Sequence, residues 1–147
     1  MNIFDNQELA SIKKPNEPLQ YSSKEEFEEI ILTIAKSKRD IVWWAEHFFR
    51  IVSLNTGLGV IKLYDKQKEM LRHLVNHDRN IVLSSRQTGK TTTYTILLMW
   101  MATLFPEKKI MVCANKLQTS IEIMDRLRIA YEYLPKFLKP GIVCYNK

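Results

Sequence analysis

Apolar residues recur with a helical period in three stretches of the first half of the chain, and each stretch is set off by polar or turn-forming residues. Residues 1–20 precede them and are polar and irregular, with Pro15 and Pro18, so residues 1–22 read as a flexible leader. Ser23 followed by Glu26 has the spacing of a helix capping box. Behind it, EEFEEIILTIAKSK places Phe27, Ile30, Ile31 and Ile34 at three- and four-residue steps, which predicts an amphipathic helix. A second apolar helix is expected from Asp40 to about Ile51, with Trp43, Trp44, Phe48 and Phe49 as core rather than a ligand cage. SLNTGLGVIKLY has turn chemistry at Asn55-Thr56-Gly57 between two β-prone runs and predicts a hairpin. Residues 23–64 thus read as a helical subregion with a hairpin. Helical periodicity resumes over 65–77 through Met70, Leu71 and Leu74, with Asp65 as the expected N-cap.

The second half changes period. Asn80-Ile81-Val82-Leu83 is a short apolar run of the kind found in buried strands, and Gly89 opens a helix that Pro106 stops after about Phe105. Lys109 to Ala114 reads as another strand. A helix follows from about Leu117 to Leu134, ended by Pro135. Ile121, Met124, Leu127 and Tyr131 keep helical steps, so the acid-containing stretch Ile121–Asp125 is expected in that helix and not at a strand end. Strand, loop, helix, strand, helix is a βαβ order, which implies a parallel sheet with right-handed crossovers. Two strands alone expose unpaired edges and leave their helices uncovered, so the chain is expected to be a truncated piece.

Composition narrows the class. The chain has 147 residues, one domain's worth, with 46% hydrophobic residues and only four Gly and five Pro, which excludes a disordered or low-complexity protein. Twenty-two Lys and Arg against sixteen Asp and Glu give a net charge of +6, compatible with a polyanionic partner but common in domains that have none. Cys113 and Cys144 have no metal or disulfide spacing, and Cys113, inside Ile110–Ala114, is expected as a buried free thiol. His73 and His77 are four residues apart and could share a helix face, with no third ligand in sight. The start of the chain has no secretory pattern. The longest apolar stretch, Tyr94 to Phe105, is too short to span a bilayer, so a reducing, cytoplasmic setting and no membrane partner are expected.

The segment SSRQTGKTTT carries the chemistry. A phosphate loop needs a strand to aim it, backbone N–H groups to cradle oxygens and a helix N-terminus behind it, and the order here supplies all three. Gly89 permits close backbone approach, Lys90 would reach the terminal phosphates, and Thr91 would offer its hydroxyl to Mg²⁺. No Asp or Glu occurs from Ser84 to Thr93 to repel an anion. Ser84 stands where such loops usually begin with glycine. Arg86 has two readings: an exposed cation that attracts phosphate, or an arginine finger in cis that neutralises transition-state charge. The expected fold class is therefore α/β, an incomplete P-loop NTPase (RecA/ASCE-like) parallel sheet with flanking helices, preceded by an N-terminal helical segment. Residues 65–147 form the partial ATPase core, with no strand-end acidic pair before the last residue.

From about Trp43 onward the chain resembles the N-terminal part of the ATPase domain of a large terminase subunit, the DNA-packaging motor protein of tailed bacteriophages. SSRQTGKTT resembles that family's modified Walker A loop and LYDKQKEML its adenine-binding segment, with Gln67 at the glutamine position. ANKLQTSIEIMDR resembles the stretch after the second strand, and LPKFLKPGIV the one before the third. The resemblance implies ATP and Mg²⁺ as ligands, held by Ser84, Ser85, Gln87, Thr88, Gly89, Lys90, Thr91 and Thr92. It makes Arg86 and Lys90 catalytic, Thr91 the Mg²⁺ ligand, and Gln67 the residue that bonds the adenine edge. The aromatic that the family often places immediately before that glutamine is Lys66 here, with Tyr64 three positions upstream of Gln67. Double-stranded DNA, portal and small terminase subunit are the implied partners, and the whole protein would act as a homo-oligomeric ring on the prohead in the host cytoplasm. The family's Walker B Asp-Glu, coupling motif and nuclease domain would lie beyond residue 147. Two other readings stand beside it: a superfamily-2 helicase fragment, and a non-catalytic basic DNA-binding or adaptor protein with a vestigial loop. Helicases usually begin the loop with Ala- or Gly-rich residues, which Ser84-Ser85-Arg86-Gln87 are not.

Overall fold

A computed structural model describes residues 13–53 and 57–143. The order is α1 (Lys24–Arg39), α2 (Ile41–Phe48), β1 (Arg50–Ser53), β2 (Gly57–Val60), α3 (Asp65–Asn76), α4 (Lys90–Leu104) and α5 (Leu117–Glu132), then a 3-10 turn at Lys136–Leu138. Ser23 caps α1 as its spacing predicts. Its hydroxyl accepts the Glu26 N–H at 3.1 Å, and the Glu26 carboxylate accepts the N–H of Ser22 at 2.7 Å. Asp40 both ends α1 and starts α2, its carboxylate accepting from the N–H groups of Val42 (2.9 Å) and Trp43 (3.0 Å).

α2 ends earlier than its apolar run suggests. Arg50 and Ile51 pair as β1 with Val60 and Gly59 of β2, an antiparallel hairpin whose tip, including the expected turn at Asn55-Thr56, lies outside the described residues. Pairing decides this: β1 and β2 satisfy each other's backbone groups, which an extension of α2 would leave to water. Trp44, Phe48 and Phe49 are core, and α2 lies at its centre, touching α1, α3, α4 and β2. α1 buries less than its periodicity suggests, since Ile30 is inside but Ile31 is 48% exposed.

α4 is buried through Thr93, Thr95, Ile96, Met99, Trp100 and Leu104. Its hydroxyls enter the core because they bond their own helix, Thr93 to the carbonyl of Gly89 (3.1 Å) and Thr95 to that of Thr91 (2.8 Å). α4 stops as expected, with Phe105, ahead of Pro106, extended at φ −121°. Trp100 reaches back to α1, its indole N–H donating to the Ser37 carbonyl at 2.8 Å. α5 covers Ile121–Asp125 as helix, as its steps predict. Its C-terminal end is packed, with Ala130 and Tyr131 buried. Leu117, Ile121 and Met124 nearer its start are exposed.

The parallel sheet is not formed. Among the described residues the one sheet is the β1–β2 hairpin, and no backbone hydrogen bond joins residues 81–83 or 109–114 to another segment. Both runs lie outside helix and strand, and Ile81, Leu83 and Met111 are 101%, 98% and 85% exposed. A parallel strand holds its place through neighbours on both edges and helices on both faces, and no described segment pairs with these runs. Cys113, expected inside, is exposed for the same reason.

Residues 13–15 lie against 140–142. The Lys13 N–H donates to the Tyr131 hydroxyl (3.2 Å), that hydroxyl donates to the Pro140 carbonyl (2.9 Å), and the Ile142 N–H donates to the Lys13 carbonyl (3.0 Å).

Candidate phosphate-binding site

Residues 84–92 form a compact loop running into the first turn of α4, and they bring together every loop residue singled out from the sequence. Two left-handed residues bend it, Gln87 at φ +63° and Gly89 at φ +76°. Only glycine adopts that conformation without cost; an L side chain there costs about 1–2 kcal/mol. A Cβ on Gly89 would also press on Nε2 of Gln67, the far end of a side chain that would have to shift. The left-handed backbone therefore favours glycine at 89, and the Gln67 amide is a second, smaller ground.

Side chains hold the loop's shape. The Thr88 hydroxyl donates to the Ser85 carbonyl at 3.1 Å and lies 3.0 Å from Ser84 Oγ. Thr88 has one hydroxyl proton, so Ser84 is the donor of the second bond. Serine in the usual glycine position thus contributes a bond that glycine could not. Lys90 folds back over the loop, Nζ donating to the carbonyls of Ser84 (2.5 Å) and Ser85 (2.8 Å).

The electrostatics favour an anion. Among the described residues, no carboxylate pairs with Lys90 or Arg86. Gly89, the N-cap of α4, offers no side-chain cap, so the first N–H groups of that helix have no side-chain acceptor. The positive end of the α4 dipole, its first N–H groups and the Lys90 ammonium all belong to residues of one short segment, a combination that suits phosphate oxygens. Among the described residues the Thr91 hydroxyl and the Arg86 guanidinium make no hydrogen bond, so both remain free for a ligand. The donor set fits a phosphate chain with Mg²⁺ at Thr91.

Gln67 sits under this loop. It is the third residue of α3, 6% exposed, and its Oε1 accepts the Tyr64 N–H at 3.1 Å. Tyr64, not Asp65, is the N-cap residue of α3, because the Gln67 amide performs the capping expected of Asp65. The Tyr64 ring is 77% exposed. Thr93, absent from the residues picked out by motif, is fully buried and bonds Gly89 through both its N–H (3.0 Å) and its hydroxyl. A hydroxyl residue four positions after the loop glycine, on a buried helix face, is the signal that would have found it. His73 and His77 stack at 4.1 Å on α3, and the His77 ring meets the His73 carbonyl.

Residues 81–146 match the model of a protein family described as terminase large subunit, T4likevirus-type, N-terminal. The matched segment begins just before the loop and runs through α4 and α5 to the end of the described residues. With the loop geometry in place, this segment of the chain is similar to the N-terminal region of the large terminase subunits of T4-like viruses.

Proposed function

We propose that this chain provides the ATP-binding part of a viral DNA-packaging motor, in which ATP hydrolysis drives double-stranded DNA into a capsid. The observation that carries the reading is the loop itself. Lys90 folds over the loop, the first N–H groups of α4 have no side-chain cap, Gly89 is left-handed, and no carboxylate among the described residues pairs with Lys90. Lys90 would leave the Ser84 and Ser85 carbonyls for the terminal phosphates of ATP. Ser84, Ser85, Gln87, Thr88 and Thr92 would complete the cradle. Mg²⁺ held at the Thr91 hydroxyl would neutralise charge on the phosphate oxygens. Arg86, exposed on the loop, would approach the γ-phosphate as a cis-acting finger. Double-stranded DNA, portal, small terminase subunit and a ring of further copies are the partners this reading implies, at the prohead in the host cytoplasm. Among the described residues no helix is long and apolar enough to cross a membrane.

Titration of the chain with ATP and Mg²⁺ tests the binding step. Binding is expected to weaken at least roughly tenfold in Lys90→Ala, the loss of one charge-assisted contact. In a protein that hydrolyses ATP through this loop, Lys90→Ala and Arg86→Ala are each expected to abolish turnover. Unchanged hydrolysis in Lys90→Ala refutes the motor reading. A wild-type chain that binds DNA but no nucleotide favours the adaptor reading.

A further inference from the structure

We propose that residues 13–17 are a preformed hook that clamps residues 140–142 and opens as a unit while the helical core stays closed. Local chemistry shapes the hook. The Glu17 N–H donates to the Lys14 carbonyl at 3.3 Å, and the Glu17 carboxylate accepts the Lys14 N–H at 3.1 Å. Between them Pro15 and Asn16 make the turn, with Asn16 at φ +61°. Proline at the second position and asparagine at a left-handed third are what such a turn takes. The hook closes on the segment that follows α5. The Tyr131 hydroxyl accepts the Lys13 N–H and donates to the Pro140 carbonyl, and the Lys13 carbonyl accepts the Ile142 N–H. Gly141 lies against the turn, where a Cβ would come within 2.7 Å of Pro15 Cα and 3.0 Å of the Lys14 carbonyl oxygen. Both are backbone atoms, which cannot swing aside as the end of a side chain can. The clamp therefore closes only over a glycine.

The attachments of the hook are uneven. Tyr131 is buried and Ile142 packs against the core, but residues 14–16 are exposed. Residues 18–21, which lead to α1, are exposed too and make no hydrogen bond among the described residues. Release breaks the bonds of Lys13 to Tyr131 and Ile142 and leaves the capped start of α1 as it is. Segments held by few bonds and little apolar area open ahead of the whole fold. Opening strips the Ile142 N–H of its acceptor, so that amide reports on the hook. The proposal does not rest on the ATP-binding reading, and neither falls with the other.

Hydrogen exchange on the 147-residue chain in rising urea tests this, comparing the Ile142 amide with the Ile96–Trp100 amides of α4. Ile142 is expected to exchange through an opening that urea scarcely accelerates, whereas the α4 amides follow unfolding of the whole chain. Asn16→Val puts a β-branched residue at the left-handed position and is expected to raise Ile142 exchange roughly tenfold. Asn16→Gly keeps that backbone and is expected to leave Ile142 near wild type. Gly141→Ala should raise Ile142 exchange at least as much as Asn16→Val, with the α4 amides unchanged in all three variants. Ile142 exchange with the urea dependence of α4 overturns the proposal, as does equal exchange in Asn16→Val and Asn16→Gly. Unchanged exchange in Gly141→Ala overturns it too. So does an α4 that loosens together with Ile142 in Asn16→Val, because the hook then belongs to the cooperative unit of the core.

Discussion

Trp100→Phe is the substitution that tests how α4 is held. Ser37 lies in the last turn of α1, where carbonyls have no partner within the helix, and it is fully buried. The Trp100 indole supplies the missing donor at 2.8 Å, so one end of α1 is capped from the side of α4. Phenylalanine keeps an aromatic ring beside Phe105, which meets Trp100 at 4.7 Å, but removes the donor. The stranded buried carbonyl costs about 1–3 kcal/mol. The smaller ring adds about 1 kcal/mol of lost packing. Trp44 supplies the control. It is fully buried, but its indole N–H has no hydrogen-bond partner among the described residues, so Trp44→Phe loses packing and no bond. Urea unfolding of both variants should therefore show Trp100→Phe the less stable by about 1–3 kcal/mol at unchanged m. In thermal melts the Trp100→Phe chain should unfold about 5–15 °C below wild type. Equal losses in the two variants would show that the indole bond contributes nothing and that packing alone holds α4 against α1.

Gly89→Ala is expected to lose at least about 1 kcal/mol from the left-handed backbone alone. Adding Gln67→Ala should recover the steric part and not the rest, measured as a double-mutant cycle in urea; a Gly89→Ala chain as stable as wild type would contradict both grounds for glycine. Asp40→Ala removes both N–H contacts that start α2 and should cost about 1 kcal/mol, whereas Asp40→Asn should keep most of it, read from denaturation midpoints. Burial pushes the pKa of the Lys139 ammonium below its ordinary 10.5, although Nζ donates to the Glu132 carbonyl at 3.0 Å. Between that lowered value and 10.5 the unfolded chain binds the extra proton, so stability should rise with pH across that window and level off below it. Burial raises the Tyr131 pKa above 10.0, which makes stability fall at higher pH, so the Lys139 contribution is isolated as wild type minus Lys139→Met. The same pH slope in both chains would assign it elsewhere.

Much of the secondary structure was legible because its causes are local. Ser23 caps α1, Pro106 stops α4, and Asp125 is helical because Ile121, Met124 and Leu127 around it keep helical steps. The start of α4 was legible for the same reason, since Gly89 takes the left-handed backbone that opens it. Arg50 and Ile51 went the other way, since an apolar run does not reveal that β2 will pair with part of it.

Sequence alone determined where α1 begins and where α4 begins and ends, because spacing, caps and prolines act within a few residues. Only the tertiary structure decided what Ile81–Leu83 and Lys109–Ala114 become. A strand exists through its neighbours, and with none paired to either run, Leu83 and Met111 face solvent and Cys113 is exposed. It also decided what stands behind the loop. The 21 residues between Gln67 and Gly89 in the chain close to a contact between an amide and a glycine, which no spacing rule could have read.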